Sequence, residues 1–264
     1  MPEMWNASAC HAPPPIPGGF ANHRLARQIL RPTGPIRTAA SATVAGVRVV
    51  IAGGHGQIAM RLERLLTLRG DEAIGLIRNP DQAGDLAAVG ATAVVANLEK
   101  GSADDLVPEL RGADAVVFAA GAGPGSGIPR KDTVDRAAAA LVADAAEAAG
   151  VQRYLLISSL GANSEPPPGT SDVFAAYLRA KKASEADLRT RDLAWTILRP
   201  GRLTDEPGTG TVKLAAETGR GDISRDDVAA VLLALLDEPA TARMTLELIG
   251  GDVPIAEAVA SLGA

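Results

Sequence analysis

Cysteine is almost missing from this sequence. Cys10 is the only one in 264 residues, which excludes an internal disulfide and a thiolate zinc cluster, and the scattered His11, His23 and His55 do not replace one. Aromatic residues make up only 3%, so the core must be built from Ala, Val, Leu and Ile, a composition suited to parallel strands covered by helices. No apolar run approaches the roughly 20 residues that cross a bilayer. A net charge of −5 and the lack of a basic, aromatic surface argue against nucleic acid as a partner. What is plentiful is aliphatic: 47% of the chain is hydrophobic, enough to bury a full core in one domain. The expectation is a cytoplasmic protein with no membrane, metal or nucleic-acid partner.

Residues 1–46 differ from the rest. They hold 7 of the 18 prolines and set Arg24, Arg27, Arg31 and Arg37 against a single acid, Glu3, whereas the remainder carries 22 basic and 30 acidic residues. The stretch has no continuous apolar segment of the secretory kind, and its Arg-containing, acid-poor character has something of an organelle transit peptide. The preferred reading is a disordered leader or a start placed upstream of the folded chain. Cys10, His11 and His23 therefore receive no role, and the domain is expected over 47–264, with a variable substrate region from about 203.

From Val47 onward strands and helices alternate. Strands are predicted at Val47–Ala52, Ala73–Ile77, Thr92–Ala96, Ala115–Ala119, Arg153–Ser158 and Trp195–Leu198. Helices are predicted at Gln57–Arg69, Gly101–Arg111 (interrupted by Pro108), Asp132–Ala149 and Val173–Thr190. The order implies an α/β, doubly wound, mostly parallel Rossmann sheet. Smaller elements follow: a helix capped by Ser224 and running to Leu236, a strand at Thr245–Ile249 and a short helix at Ile255–Leu262.

The run Val47-Arg-Val-Val-Ile-Ala-Gly-Gly-His-Gly-Gln-Ile-Ala59 joins the first strand to a glycine turn that opens an amphipathic helix. Its glycines fit two registers, Gly54-x-Gly56-x-x-Ala59 and Gly53-x-x-Gly56-x-x-Ala59, both used to hold a dinucleotide. Small residues permit the tight turn, let the main chain approach phosphates and let the helix pack on the strand. Ile58, Leu62, Leu65 and Leu66 give that helix an apolar face, leaving its N-terminal amides free for an anion. Gly53, Gly54, Gly56, Gln57 and Ile58 are the candidate phosphate-side residues. Strand two ends in Arg78, where an acid would bind a ribose hydroxyl. An arginine instead favours a 2′-phosphate, so NADP is expected and NAD disfavoured.

Tyr177-Leu-Arg-Ala-Lys181 sets a phenol and an ammonium four residues apart on one helix face. A nearby cation stabilises phenolate, which lets a phenol exchange a proton with a substrate oxygen. Upstream, strand five ends in Ser158-Ser159, hydroxyls at the strand end where such folds bind ligands. Tyr177, Lys181 and Ser159 (or Ser158) are the candidate catalytic set, with Lys181 also a candidate for holding a ribose.

Gly-Gly-His-Gly-Gln-Ile-Ala, Leu-Ile-Arg-Asn-Pro, Val-Phe-Ala-Ala-Gly, Ile-Ser-Ser-Leu-Gly-Ala, Tyr-Leu-Arg-Ala-Lys and Trp-Thr-Ile-Leu-Arg-Pro-Gly, in this order, resemble an atypical short-chain dehydrogenase/reductase of the NAD(P)H-binding, NmrA-like group. The resemblance covers about Val47 to the C-terminus. It implies that Ala119, Ala120 and Gly121 border the nicotinamide, that Asn97 and Leu98 flank adenine (Asn97 standing where the family often has Asp), and that Pro200, within Arg199-Pro200-Gly201, approaches the nicotinamide end. It implies an NADP-dependent oxidoreductase acting on an unidentified small carbonyl or alcohol. A non-catalytic redox-sensing regulator and a sugar epimerase or dehydratase are the alternatives, since the fold hosts all three. Substrate choice is assigned to the loops Gly123–Arg130, Ala162–Thr170 and Leu203–Gly210, and the helices at 132–149 and 173–190 could pair in a homodimer. Asp205-Glu206 and Asp226-Asp227 are read as solvated or helix-start carboxylates, not a metal site.

Overall fold

The computed structural model describes residues 46–123, 125–166 and 168–263. The expectation for the leader, Gly46 aside, lies outside them. β1 (Arg48–Ala52) leads to α1 (Gln57–Arg69), β2 (Glu72–Ile77), α2 (Ala83–Ala88), β3 (Thr92–Val95), α3 (Ala103–Leu110) and β4 (Ala115–Phe118). A single turn, α4 (Ile128–Arg130), passes through a π-helical stretch at Lys131–Ala137 into α5 (Ala138–Ala149). Then come β5 (Arg153–Ile157), α6 (Asp172–Arg189), β6 (Ala194–Pro200), β7 (Arg202–Thr204), β8 (Thr211–Ala215) and β9 (Asp222–Ser224). The described chain closes with α7 (Arg225–Leu236), β10 (Met244–Gly250), β11 (Val253–Pro254) and α8 (Ile255–Ala260).

The main sheet has the order β11-β8-β10-β6-β5-β4-β1-β2-β3. The seven strands from β10 to β3 are parallel, β8 joins β10 antiparallel, and β11 joins β8 antiparallel. β7 and β9 form a separate parallel pair. Strand order reverses between β1 and β4, the crevice where doubly wound sheets bind ligands. The six expected strands are present, and the C-terminal strand continues the parallel sheet as a seventh. β7, β8, β9 and β11 were not expected: β7, β9 and β11 are only two or three residues long, whereas β8 does alternate, with Val212 and Leu214 buried and Lys213 exposed between them.

β1 shows how the two layers are divided. Val49 and Ile51 enter one core, with Leu62 and Leu66 of α1 and Val228, Val231 and Leu232 of α7. Val50 and Ala52 enter the other, with Leu106 and Leu110 of α3 and Val142 and Ala145 of α5. Local signals set the helix boundaries. Ser102 and Asp105 form a reciprocal capping box on α3, Ser224 caps α7, and Gly150 ends α5 at φ 77°. α3 runs past Pro108 to Leu110. No helix among the described residues is long and apolar enough to cross a membrane.

One residue in the α1 core breaks the apolar rule. Glu63 is fully buried, both of its carboxyl oxygens lack a hydrogen-bond partner, and burial pushes its pKa up to about 8. It lies under the glycine turn: a Cβ on Gly54 would stand 2.9 Å from Oε1, and one on Gly75 2.5 Å from it. Because the folded-state pKa is above the ordinary 4.5, the folded protein holds a proton that the unfolded chain releases. The stability tied to this residue is therefore fully present below about pH 4.5 and is lost as pH rises through about 8. Glu63→Gln should flatten the dependence of the thermal midpoint on pH across this window and gain on the parent as pH rises. A difference between parent and variant that does not change with pH would overturn this account.

Candidate active site

The glycine turn is built from three glycines with three tasks. Gly53 takes φ +84°, and a Cβ there would meet the Ala120 Cα at 2.6 Å. Gly54 is buried, and its Cβ would meet the Gly75 Cα on β2 at 2.6 Å. Gly56 is the N-cap of α1, where no side chain caps the helix and no acid occupies the first turn. The free N–H groups of α1 therefore present a positive end to an anion. Gly53 N and Gly54 N both donate to Leu76 O, at 3.2 and 2.9 Å, which ties the turn to the end of β2. Gly53 and Gly56 border a cavity of about 240 Å³ and Gly54 does not, so Gly54 serves packing rather than the cavity. Gln57, in the first turn of α1, is exposed and borders neither this cavity nor the one beside Tyr177.

This glycine-side cavity is also bordered by Arg78, Asn97, Leu98, Glu99 and Arg130. Glu99 is its hub. Arg130 reaches it at 3.1 and 3.3 Å, Thr133 Oγ1 at 2.8 Å and Arg78 Nη1 at 2.9 Å. The Arg130 hydrogen bond, with those from Thr133 and Arg78, holds its carboxyl below the usual range. Asn97 Oδ1 accepts from Glu99 N at 3.1 Å, so its carbonyl shapes the loop and its amide nitrogen is left for a ligand.

Ala119, Ala120 and Gly121 separate this cavity from a second of about 450 Å³ and border both. The second is bordered by Ile58, Ser158, Ser159, Tyr177, Lys181 and Pro200, which the sequence singled out, by Leu203 at the start of an expected substrate loop, and by Lys131, Asp135 and Phe174, which it did not single out. Lys181 Nζ is buried, donates to Ile157 O at 2.9 Å and lies 3.4 Å from Asp135 Oδ1 and 5.8 Å from the Tyr177 ring centre. Lys131 Nζ lies 5.6 Å from the same centre and donates to Gly123 O at 3.0 Å. The phenol thus has two ammonium groups beside it. Tyr177 also stacks on Phe174, with ring centres 5.8 Å apart.

The two serines part company. Ser158 Oγ donates to Glu185 at 2.5 Å, and Arg199 and Arg189 donate to the same buried carboxylate. Burial opposes ionisation of Glu185, but the hydrogen bonds from Arg199, Ser158 and Arg189 outweigh it and lower its pKa. Ser159 Oγ makes only a 3.3 Å bond to Leu160 O and remains the hydroxyl able to serve a ligand. Lys131 and Asp135 are four residues apart in the π-helical stretch, a feature common at functional sites. The sequence shows such a Lys-x-x-x-Asp pair but not the widened turn. Farther out, Asp226 pairs with Arg61, Asp205 pairs with Arg225 and Asp227 binds the Thr209 and Gly210 amides.

A sequence profile of NAD(P)H-binding proteins matches residues 53–239. The chain belongs to this NAD(P)H-binding family. The Bacillus subtilis (strain 168) protein named uncharacterized sugar epimerase YhfK is 40% identical over 217 residues, covering 82% of this chain and 100% of the relative. A Bacillus halodurans structure, provisionally named an NAD-dependent epimerase/dehydratase, superposes with TM-score 0.75 at 35% identity, covering 82% and 100% of the two chains. An anaerobillin reductase from Escherichia coli O157:H7 superposes with TM-score 0.64 at 27% identity, covering 78% and 98%. These findings agree with the atypical short-chain dehydrogenase/reductase resemblance carried by the motifs.

The glycine turn fits the dinucleotide that the family binds in one checkable way: a cradle is open there because Gly53 has no Cβ. Gly53→Ala should lower NADPH affinity by about tenfold or more, since a left-handed non-glycine residue costs roughly 1–2 kcal/mol before the collision with Ala120 is counted. Gly84→Ala, at a helical position with open space around it, should leave affinity unchanged. Calorimetric titration compares the two, and equal affinities for both variants would refute the assigned cradle.

Proposed function

We propose that this chain is an NADP-dependent oxidoreductase acting on a small carbonyl or alcohol, with Tyr177 as its proton-transfer group. The observation that carries this reading is the arrangement of Tyr177, Lys181 and Ser159 around one cavity, next to the Ala119–Gly121 segment that borders both cavities. When bound, the nicotinamide supplies or accepts a hydride at the substrate carbon. In the reductive direction Tyr177 gives its hydroxyl proton to the carbonyl oxygen, which becomes the alcohol, and the phenolate then recovers a proton from solvent. Ser159 donates a hydrogen bond to the same oxygen and orients it. Lys181, fixed by Ile157 O and Asp135, supplies a positive charge that stabilises the phenolate left behind. Phe174 and Leu203 add an apolar border to the cavity.

The preference for NADP rests on Arg78 and Arg130, two guanidinium groups facing one cavity with Glu99 as their shared counter-ion. A 2′-phosphate would take charge-assisted hydrogen bonds from them. A second reading, epimerase or dehydratase with the cofactor returned to its starting state, draws on the names of the two Bacillus relatives.

Two measurements test the proposal. Tyr177→Phe keeps the ring and its stacking but deletes the hydroxyl, so turnover of carbonyls, quinones and flavins with NADPH should fall by about 100-fold or more while NADPH affinity holds. Turnover that survives with affinity unchanged would remove Tyr177 from the chemistry, and inversion or dehydration without net NADPH consumption would favour the second reading. Arg78→Asp should weaken or reverse the preference for NADPH over NADH. Equal affinity of the parent for the two cofactors would sink the arginine argument.

A further inference from the structure

The cavity beside Tyr177 adjoins a larger hollow of about 810 Å³, and the two share Ser159, Phe174, Tyr177 and Leu203. A substrate whose reacting carbon sits near Tyr177 can extend into this hollow. Its border has two chemical characters. Leu160, Leu178 and Leu203 are apolar, and the stacked Phe174 and Tyr177 rings, 26° from coplanar, add flat aromatic surface. Charge comes from the segment Arg220–Asp222 and from Arg202.

The two arginines are not equivalent. Arg202 forms a two-pronged pair with Asp222, so its charge is already met. Arg220 is exposed and forms no ion pair among the described residues. Its backbone, however, is held on both sides. Thr218 N donates to Glu247 at 2.9 Å and Lys213 Nζ to Thr218 O at 2.8 Å. Gly219 takes φ +84°. Gly221 O accepts from Arg202 N at 3.0 Å, and a Cβ on Gly221 would stand 2.9 Å from Ile249. A glycine-flanked, well-anchored segment thus presents one unneutralised guanidinium at a hollow that is otherwise apolar or charge-balanced. A guanidinium fork in this setting matches a planar or tetrahedral oxyanion.

We propose that Arg220 is the anion-recognition residue of this hollow, and that the substrate has a flat, apolar body with a carboxylate or phosphate remote from its reacting carbon. This deepens the oxidoreductase reading and rests on it. The test uses the full chain saturated with NADPH and three aldehydes of one shape: 4-formylbenzoate, 4-formylphenyl phosphate and neutral 4-methylbenzaldehyde, each also in its biphenyl-length form. Binding is read by calorimetry and turnover by loss of NADPH absorbance. At least one anionic probe should bind about tenfold or more tightly than its neutral counterpart, and the tighter anion identifies the group. Arg220→Gln should erase the preference and Arg220→Lys should restore part of it. Arg179→Gln, which removes the same charge from an exposed arginine that does not border the hollow, should leave the preference intact.

Equal binding of anionic and neutral probes, or a preference that survives Arg220→Gln, overturns the proposal. Turnover without an anion preference would reject the anion site and keep the oxidoreductase reading. An Arg220-dependent anion preference with no turnover of any aldehyde, quinone or flavin would keep the site and reject that reading.

Discussion

The approach of the Gly53 backbone to Ala120 is the constraint on which both cavities depend. β1 and β4 are neighbours in the sheet, yet their chains leave it in different directions, and the crevice between them is only as narrow as the residues at its mouth allow. A Cβ at Gly53 would lie inside the van der Waals radius of Ala120, so the turn or the 119–121 segment would have to move. A shift of the turn disturbs the two hydrogen bonds that Leu76 O receives from Gly53 and Gly54, each worth about 1 kcal/mol net. It also redirects the N-terminus of α1. Because Ala119, Ala120 and Gly121 border both cavities, one displaced backbone would reshape the two together.

The other half of the site hangs from α6. Tyr177, Lys181 and Glu185 follow one another at intervals of four and so share a helix face. The lower two are buried charges, each costly to remove from water. Glu185 is met by Arg199, Arg189 and Ser158 from β6, its own helix and the end of β5. Lys181 is met by Ile157 O and Asp135. Removing one partner of such a buried pair typically costs about 3–5 kcal/mol, so these contacts resist rotation of α6 about its axis. The upper residue, Tyr177, then has a fixed place at the cavity. The same anchoring explains the division between the serines: Ser158 is committed to Glu185 and Ser159 is not.

Where an element buries a repeating face, its place could be read from the sequence. β1 is a continuous apolar run that ends at glycine, α1 and α5 carry apolar stripes and end at Gly70 and Gly150, and α6 starts at a Ser171 cap; the site residues attached to β1, α1 and α6, namely Gly53, Gly56, Tyr177 and Lys181, lie at the cavities. The residues that were missed depend on long-range geometry. Glu99 and Arg130 are 31 residues apart and meet only because β3 and the segment after β4 converge at one end of the sheet. Lys131 and Asp135 reach their cavity through a π-helical turn, which has no established residue code. Gly54 matched a fingerprint but is occupied in packing against Gly75, since two overlapping glycine registers cannot be separated by spacing alone. Arg220 lies in a segment pinned by tertiary contacts to Glu247 and Ile249, about which its neighbours in sequence say nothing.

The charge balance around Tyr177 gives Lys131 and Asp135 a physical purpose in the proposed reaction. Before proton transfer the group consists of Lys131, Lys181 and Asp135, two positive charges and one negative. Giving up the phenol proton adds one negative charge and brings the sum to zero. The two ammonium groups stand 5.6 and 5.8 Å from the Tyr177 ring centre, and a nearby positive charge favours the phenolate over the phenol. Without Asp135, two lysines would face one another across the same small volume with no internal counter-ion, and Lys181 would lose its place against Ile157 O. Without Lys131, the Lys181–Asp135 pair would be nearly neutral and offer the phenolate little. Lys131 and Asp135 are four residues apart and so share one side of their helical stretch, and both border the cavity. One segment thus contributes a cation to the phenol and an anion to the lysine behind it.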